Sequence, residues 1–150
     1  MRLLMILTVG MCLLFAAGAA VPAVAQNAAD EAAIREAAKQ IRETTNKGDI
    51  KSHLDLYADP FENFEDSSDR AAHQQTHDGL KDLRQKLLAD GGIVFLTPDV
   101  AIHKFRQEST GLIDDDGNPL PPSKSLVAFI YVKKGDKWLM TARFTRPIEE

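Results

Sequence analysis

The chain has 150 residues, with 18 Lys or Arg and 22 Asp or Glu side chains, giving a formal net charge of −4 at pH 7. Its basic residues are scattered, which argues against nucleic acid as a partner because that binding needs clustered Lys and Arg. Its one cysteine, Cys12, lies in the first apolar segment, so the rest of the chain contains neither a disulfide nor thiol chemistry.

The N-terminal segment is typical of an export signal. Arg2 supplies a positive start, Leu3 to Ala17 is an apolar core, and Ala23-Val24-Ala25 is a small-x-small cleavage site. The apolar run is short for a membrane span, and polar helix-forming sequence follows it directly. We therefore expect residues 1–25 to be a signal peptide and residues 26–150 to form one periplasmic or secreted domain, with no membrane contact after cleavage.

Two helices are predicted after the signal segment. From Asn27 to Lys47, apolar side chains recur every three or four residues, and Gly48 ends the pattern. Asp49 can cap a second, shorter helix, which Asp59-Pro60 ends. The inner stripe of that helix consists of Ile50, His53, Leu54 and Tyr57. The two helices are thus expected to meet at a tight Gly-Asp corner.

A strand, a loop and a third helix are predicted next. Phe61 to Asp66 alternates as a half-buried strand does, whereas Ser67 to Gly79 lacks large apolar side chains and indicates an exposed loop or lid. A third helix is predicted from about Asp78 to Ala89, and Gly91-Gly92 ends it. Its apolar stripe consists of Leu80, Leu83, Leu87 and Leu88.

The remaining chain is predicted to form strands joined by turns. The strands cover Ile93–Leu96, Val100–Leu112, Ser125–Val132 and Trp138–Thr145, with a loop at Asp114–Lys124 and a tight hairpin at Lys134-Gly135-Asp136. Helices gathered on one face of an antiparallel sheet form an α+β domain. We therefore predict an α+β fold.

Short strings along the chain resemble the nuclear transport factor 2-like superfamily. They are Gly48-Asp49-Ile50 with Leu56-Tyr57-Ala58-Asp59, then Phe95-Leu96-Thr97-Pro98-Asp99-Val100-Ala101, and finally Trp138 with Thr145-Arg146-Pro147. In this order they are similar to the SnoaL-like branch, including SgcJ/EcaC-type proteins, from about Ala28 to Pro147. The resemblance implies a curved antiparallel or mixed sheet wrapped around the N-terminal helices, a cone with an internal pocket, and often a homodimer formed across the sheet.

The same resemblance implies an acid-base candidate. Ketosteroid isomerases carry a proton-transferring Asp eight residues beyond the Tyr that matches Tyr57, which here is Glu65, or Asp66 with a shift of one residue. Burial in an apolar cone would raise the pKa of such a carboxyl group toward that of a general base. Ile41 stands where those isomerases carry the Tyr that stabilises the oxyanion, so that contribution is missing. A catalytic carboxylate and a solvated strand end both stay open.

Four other side chains have two interpretations each. His53 is either an acid-base group in the cavity or a hydrogen-bonded core histidine. His103 and Phe105 share one strand face, but the pattern does not decide whether that face is the inner one. If Trp138 packs under the helices, Arg143 faces solvent or a partner; in the reverse orientation Arg143 becomes an anchor for an anionic ligand.

No motif indicates a metal ion or another cofactor. His73 and His77 have the spacing of zinc ligands on a helix, but Gln74 stands where a zinc protease carries its Glu. The sequence also has neither a glycine-rich phosphate loop nor a nucleophile elbow.

Three functions are compatible with these observations. The first is binding of a small apolar or amphipathic ligand, and the lining candidates are Tyr57, Phe61, Phe64, His53, Phe105 and Arg143. The second is an acid-base enzyme of isomerase, dehydratase or cyclase type that uses Glu65 or Asp66 with a histidine such as His103. The third is a module without ligand that dimerises through its sheet and binds another exported protein; a filled or closed cavity together with an exposed apolar sheet patch would favour it.

Overall fold

The computed structural model describes residues 23–59, 82–114 and 116–148. Within them the elements are α1 (Ala23–Lys47), α2 (Ile50–Leu54), β1 (Arg84–Thr97), β2 (Val100–Thr110), β3 (Ser123–Lys134) and β4 (Lys137–Pro147). The strands form one antiparallel sheet in the order β1-β2-β3-β4. This arrangement confirms the predicted α+β fold and the tight hairpin between the last two strands. The predicted strand at Phe61–Asp66 and loop at Ser67–Gly79 lie outside the described residues.

Helix α1 packs on one face of the curved sheet, which we call the inner face. Its buried side chains recur every three or four residues, as predicted: Ile34, Ala37, Ala38 and Ile41. The sheet contributes Ala101, Phe105, Val127, Phe129, Tyr131, Trp138 and Met140 to the same core. Fully burying a large apolar side chain stabilises a fold by about 1.5–3 kcal/mol, so this packing contributes much of the stability. Neither described helix combines the length and apolar composition needed to cross a bilayer.

The chain turns between α1 and α2 at the predicted Gly-Asp corner. Gly48 has a φ of 68°, a conformation that glycine adopts without steric penalty. The Asp49 carboxylate accepts a hydrogen bond from the Ser52 amide at 3.1 Å and so caps α2. The corner confirms the prediction and determines where α2 begins.

Beyond α2 the chain runs beside β4. The prediction placed Tyr57 on the second helix, but α2 ends at Leu54. The Ala58 amide instead donates to the Met140 carbonyl at 2.8 Å, and the Met140 amide donates to the Leu56 carbonyl at 2.9 Å. Backbone pairing with β4, rather than helix geometry, therefore positions Tyr57.

Strand β2 alternates between the two faces of the sheet. His103 and Phe105 are buried on the inner face, whereas Lys104 and Arg106 are exposed on the outer face. His103 lies directly opposite Phe129 of β3, another buried residue. The orientation that the sequence pattern left undecided is thus inward for His103 and Phe105.

A β-bulge interrupts the pairing of β3 with β4. Ile130 lies opposite Ala142, but the next residue, Tyr131, lies opposite Met140. Thr141 is therefore an extra residue in β4. Because side chains alternate along a strand, one extra residue reverses the face on which the following side chains emerge.

The reversal places side chains from both ends of β4 on the inner face. Before the bulge, Trp138 and Met140 are buried in the core. After it, Arg143 lies opposite the inward-facing Phe129, while Phe144 points outward and is 62% exposed. The two orientations considered from the sequence treated Trp138 and Arg143 as mutually exclusive on this face. The structure has both of them there.

The predicted third helix, from about Asp78 to Ala89, is wrong over residues 84–89, which belong to β1. This stretch pairs with the last residues of β2. Leu87 and Leu88 are 39% and 41% exposed, so the leucine spacing does not mark a buried helical stripe. Pairing with a strand distant in sequence outweighs the local helical pattern, as tertiary context often does.

Gly91-Gly92 interrupts β1 rather than ending a helix. The register with β2 shifts between Asp90 and Ile93, and Gly92 has a φ of 87°. A Cβ atom on Gly91 would lie 2.8 Å from the Lys104 carbonyl oxygen, closer than such contacts normally come. The pair therefore permits a bulge and a close backbone approach within the sheet.

Candidate functional site

A cavity of about 50 Å³ lies between the α1–α2 corner and the inner face of the sheet. Its apolar lining residues are Ile41, Leu83 and Phe129, and its polar ones are Thr45, His53, Tyr57, Gln85, Gln107, Arg143 and Thr145. His53 and Tyr57 are 1% and 4% exposed, so they form its deep end. Arg143 and Thr145 are exposed and form part of its rim.

The deep end contains a short hydrogen bond between two side chains. The Tyr57 hydroxyl oxygen lies 2.6 Å from His53 Nε2. The two rings are tilted, with their centroids 4.9 Å apart. His53 is thus both a buried, hydrogen-bonded histidine and a lining residue, which combines the two interpretations that the sequence left open.

The surrounding hydrogen bonds determine which nitrogen of His53 carries the proton. The Thr44 hydroxyl lies 2.8 Å from the Gln40 carbonyl oxygen and 3.0 Å from that of Ile41. Because a carbonyl only accepts, the Thr44 hydroxyl donates into α1. His53 Nδ1, 3.0 Å from Thr44 Oγ1, is then the donor in that contact. In the neutral imidazole, His53 Nε2 is then the unprotonated nitrogen and accepts from the Tyr57 hydroxyl.

This assignment defines what the pair can do chemically. A phenol oxygen that donates one hydrogen bond also has acceptor capacity, and the Tyr57 oxygen has both properties next to the cavity. A phenol whose proton already points at an imidazole nitrogen can also transfer that proton if a ligand requires it. The deep end can therefore orient a polar group or exchange a proton with it.

The rim is held in place by a side-chain amide from α1. Asn46 Nδ2 donates to the Gln85 carbonyl at 2.9 Å, and the Gln85 amide donates to Asn46 Oδ1 at 2.6 Å. These two bonds attach the start of β1 to the end of α1. Gln107 lies on the inner face of β2 and is 8% exposed. The rim therefore brings together Gln85, Gln107, Arg143 and Thr145 from three strands.

His103 belongs to a different cluster, next to β1. Its Nε2 lies 3.1 Å from Asp90 Oδ1, and Arg35 Nε donates to Asp90 Oδ2 at 2.9 Å. Partial burial opposes ionisation of Asp90, but hydrogen bonds from the Gly92 amide, Arg35 and His103 outweigh it and lower the Asp90 pKa to about 2. Burial lowers the pKa of His103, although Asp90 partly offsets this effect.

Neutral His103 donates from Nε2 to the Asp90 carboxylate, so its Nδ1 is an acceptor. Nδ1 is buried and has no hydrogen-bond partner among the described residues. His103 and Phe105 are not among the described residues that line the cavity. They lie in the adjacent core, where their ring centroids are 5.2 Å apart.

The structure brings three of the sequence-predicted site residues together at the cavity: His53, Tyr57 and Arg143. Four others, Phe61, Phe64, Glu65 and Asp66, lie outside the described residues. The part of the chain that the structure describes contains no group of three or more His, Cys, Asp or Glu side chains that could hold a metal ion.

Sequence reasoning missed several polar lining residues. Gln107 shares a strand face with His103 and Phe105, so the alternation of β2 could have indicated it. Gln85 was hidden by the incorrect helix over this stretch. Thr45 was assigned to the helical stripe, but only the fold shows that it reaches the cavity.

No family model and no curated protein matches the chain. Several solved structures, in contrast, are similar to the chain. An uncharacterised protein with a cystatin-like fold from Caulobacter vibrioides covers 79% of this chain and 89% of its own, with a TM-score of 0.67 and 13% identity. A nuclear transport factor 2-like superfamily protein from Salmonella enterica covers 83% and 94%, with a TM-score of 0.64 and 14% identity.

The association domain of C. elegans CaMKII is also similar. It covers 79% of this chain and 95% of its own, with a TM-score of 0.58 and 14% identity. At these identities the likeness concerns the fold, which hosts several functions. The chain therefore has the cystatin-like, cone-shaped fold of nuclear transport factor 2-like proteins.

Proposed function

We propose that this chain is an exported protein that binds a small amphipathic molecule in the cavity between α2 and the inner face of the sheet. The observation that carries the proposal is the β4 bulge, which turns Arg143 inward opposite Phe129. A polar rim, apolar side chains and the Tyr57–His53 pair thereby line one cavity. Binding sites for small molecules combine an apolar lining with a few polar groups in this way.

The size of the cavity limits what can enter it. An engineered protein cavity of about 150 Å³ binds benzene, which has six heavy atoms. The cavity here is about 50 Å³, so on the same scale it accommodates a group of about two heavy atoms. A larger molecule would place only one end there.

Export is proposed from the sequence of residues 1–25, and the described contacts of α1 are compatible with cleavage there. Residues 27–29 of α1 are exposed, and Asp30 is the first described residue with a buried side chain. Asp30 Oδ1 accepts hydrogen bonds from Lys133 Nζ at 2.8 Å and Trp138 Nε1 at 3.0 Å. Cleavage after Ala25 would leave all of these contacts in the mature protein.

Self-association is supported by the outer face of the sheet. Val94, Leu96 and Phe144 are 48%, 58% and 62% exposed there. Phe144 also lines an outer hollow with Leu126 and Ala128. Exposed apolar surface of this kind is typical of protein interfaces, and an association domain has a similar fold. We propose that a second copy of this chain covers that face.

Native mass spectrometry of the mature protein, purified from the periplasm or medium of an expressing bacterium, tests the binding proposal. We expect a defined small-molecule mass to be retained by the wild type. The Thr145→Phe variant places a large side chain at the exposed rim, where it disturbs the core little, and should lose that mass without a change in melting temperature. Wild type that carries no extra mass, and gains none after incubation with a concentrated periplasmic metabolite extract, would contradict the proposal.

A further inference from the structure

We infer that the ligand of this cavity is a short-chain carboxylate whose charged group lies at the rim and whose apolar chain enters the interior. The inference rests on the proposed function and adds the chemical class of the ligand. It follows from three features of the lining, which are the charge at the rim, the donors around that charge and the volume beyond them.

The rim favours an acceptor with two oxygen atoms. Arg143 is the charged side chain among the described lining residues. Its guanidinium group has only hydrogen-bond donors, and their forked arrangement matches the two oxygens of a carboxylate. Gln85, Gln107 and Thr145 add amide and hydroxyl groups that can also donate. A carboxylate can accept about four such hydrogen bonds, whereas an amide oxygen of the same size accepts about two.

The overall charge of the chain does not oppose this assignment. The formal net charge is −4, but charges further away than about 8 Å are largely screened at physiological ionic strength. The groups that decide binding are those in direct contact with the ligand. Because Arg143 is exposed, we expect its charge to increase affinity by about fivefold, the upper range for an exposed ion pair.

The interior favours a short apolar chain. Ile41, Leu83 and Phe129 supply apolar surface next to the deep end. A volume of about 50 Å³ accommodates about two carbon atoms by comparison with the benzene-binding cavity. Each buried methylene should increase affinity by about fourfold until the space is filled.

The test is an NMR titration of the mature protein with acetate, propionate, butyrate and hexanoate, and with the matching primary amides. We expect affinity to rise by about fourfold from acetate to propionate, whose two carbons beyond the carboxylate fill the interior, and then to level off. Each acid should bind about fivefold more tightly than its amide. The Arg143→Gln variant should reduce acid binding to the level of the amide. The Arg146→Gln variant removes the same charge from an exposed position on the same strand, outside the cavity lining, and should bind like wild type.

Three results would overturn the inference, and each leaves the proposed function to its own test. Amides that bind as tightly as acids, or Arg143→Gln and Arg146→Gln variants that behave alike, would mean that the cavity binds a neutral molecule. Failure of every acid to bind would also overturn it. In each case native mass spectrometry decides separately whether the cavity binds any small molecule. The readout is a mass that wild type retains and the Thr145→Phe variant loses.

Discussion

Phe129 on β3 and Arg143 on β4 lie directly opposite each other on the inner face, one buried in the core and the other exposed at the cavity rim. The extra residue Thr141 creates this pairing, because an uninterrupted strand would have turned Arg143 outward. A single strand thus contributes Met140 to the core and Arg143 to the candidate site. The residues of β4 before the bulge pack in the core, and Arg143 after it lines the cavity.

Removal of the Tyr57 hydroxyl should destabilise the fold. The Tyr57→Phe variant leaves His53 Nε2 buried without its donor, and an unsatisfied buried acceptor costs about 1–3 kcal/mol. The free energy of unfolding from urea titration measures the effect. Tyr131→Phe is the matched control, because the Tyr131 hydroxyl is buried without a hydrogen-bond partner among the described residues. We expect that control to be neutral or stabilising; equal losses in both variants would contradict the assignment of the Tyr57–His53 bond.

Stability should fall in two steps as the pH is lowered. Burial lowers the pKa of His103 below its ordinary value of 6.5, so the unfolded chain binds a proton first and stability decreases below about pH 6.5. The Asp90 pKa is lowered from 3.8 to about 2, so its contribution is present above 3.8 and is lost between 3.8 and about 2. Urea titrations across this range measure both steps.

Two variants separate these steps. His103→Gln should remove the dependence that begins below pH 6.5, whereas Asp90→Asn should flatten the curve below pH 4 and reduce stability near neutral pH. An unchanged pH profile in His103→Gln would mean that His103 does not contribute to the first step. Arg35→Gln removes one of the hydrogen bonds that lower the Asp90 pKa. The Asp90 pKa of the folded protein should therefore rise, and the pH range over which the second step occurs should become narrower at its lower end.

Replacement of Gly111 should damage the fold far more than replacement of Gly117. Both glycines have positive φ, 78° and 84°, so alanine at either position carries a backbone strain of about 1 kcal/mol. A Cβ on Gly111 would in addition collide with the carbonyl of Asp82, whereas a Cβ on Gly117 meets nothing within 4 Å. Melting temperatures of Gly111→Ala and Gly117→Ala test this, and similar values would contradict the close approach at Asp82.

Substitution of Phe144 should weaken self-association without affecting ligand binding. The Phe144→Ser variant removes the most exposed large apolar side chain of the outer face, so we expect dimers in wild type and monomers in the variant at the same concentration. Sedimentation equilibrium measures the assembly. Leu120→Ser is a suitable control, because Leu120 is also exposed, at 44%, but lies outside the strands. Monomeric wild type, or equal effects of both variants, would contradict a dimer through the outer face.

The helices and the later strands were predictable because local pattern and tertiary role agree in them. The apolar positions of α1 are the ones that pack on the sheet, and the Gly-Asp corner has the backbone geometry that those residue types favour. The start of β1 was not predictable, because its leucines follow a helical spacing and only its pairing with β2 makes it a strand. The residues of β1 alone do not indicate that they pair with β2.

Only part of the candidate site was predictable from the sequence, because Gln85, Gln107 and Thr45 were missed. Tyr57, His53 and Arg143 were expected at a cavity, and the structure has them in its lining. The sequence did not reveal the bulge at Thr141. With strict alternation only one of Trp138 and Arg143 can face inward, whereas the bulge places both side chains on the inner face. The acid-base hypothesis for Glu65 and Asp66 stays a prediction, and loss of turnover in a Glu65→Gln, Asp66→Asn double variant would support it.

The Asn46 side chain has a consequence for how copies of this protein meet. By bonding both the amide and the carbonyl of Gln85, it occupies hydrogen-bonding groups on the edge of β1 that faces away from β2, where another strand could otherwise pair. Pairing of Met140 with Leu56 and Ala58 does the same on the edge of β4. Both margins of the sheet are thereby closed to strand addition at these points, so growth into fibrous aggregates through them is disfavoured, and the broad outer face is left for the self-association proposed above.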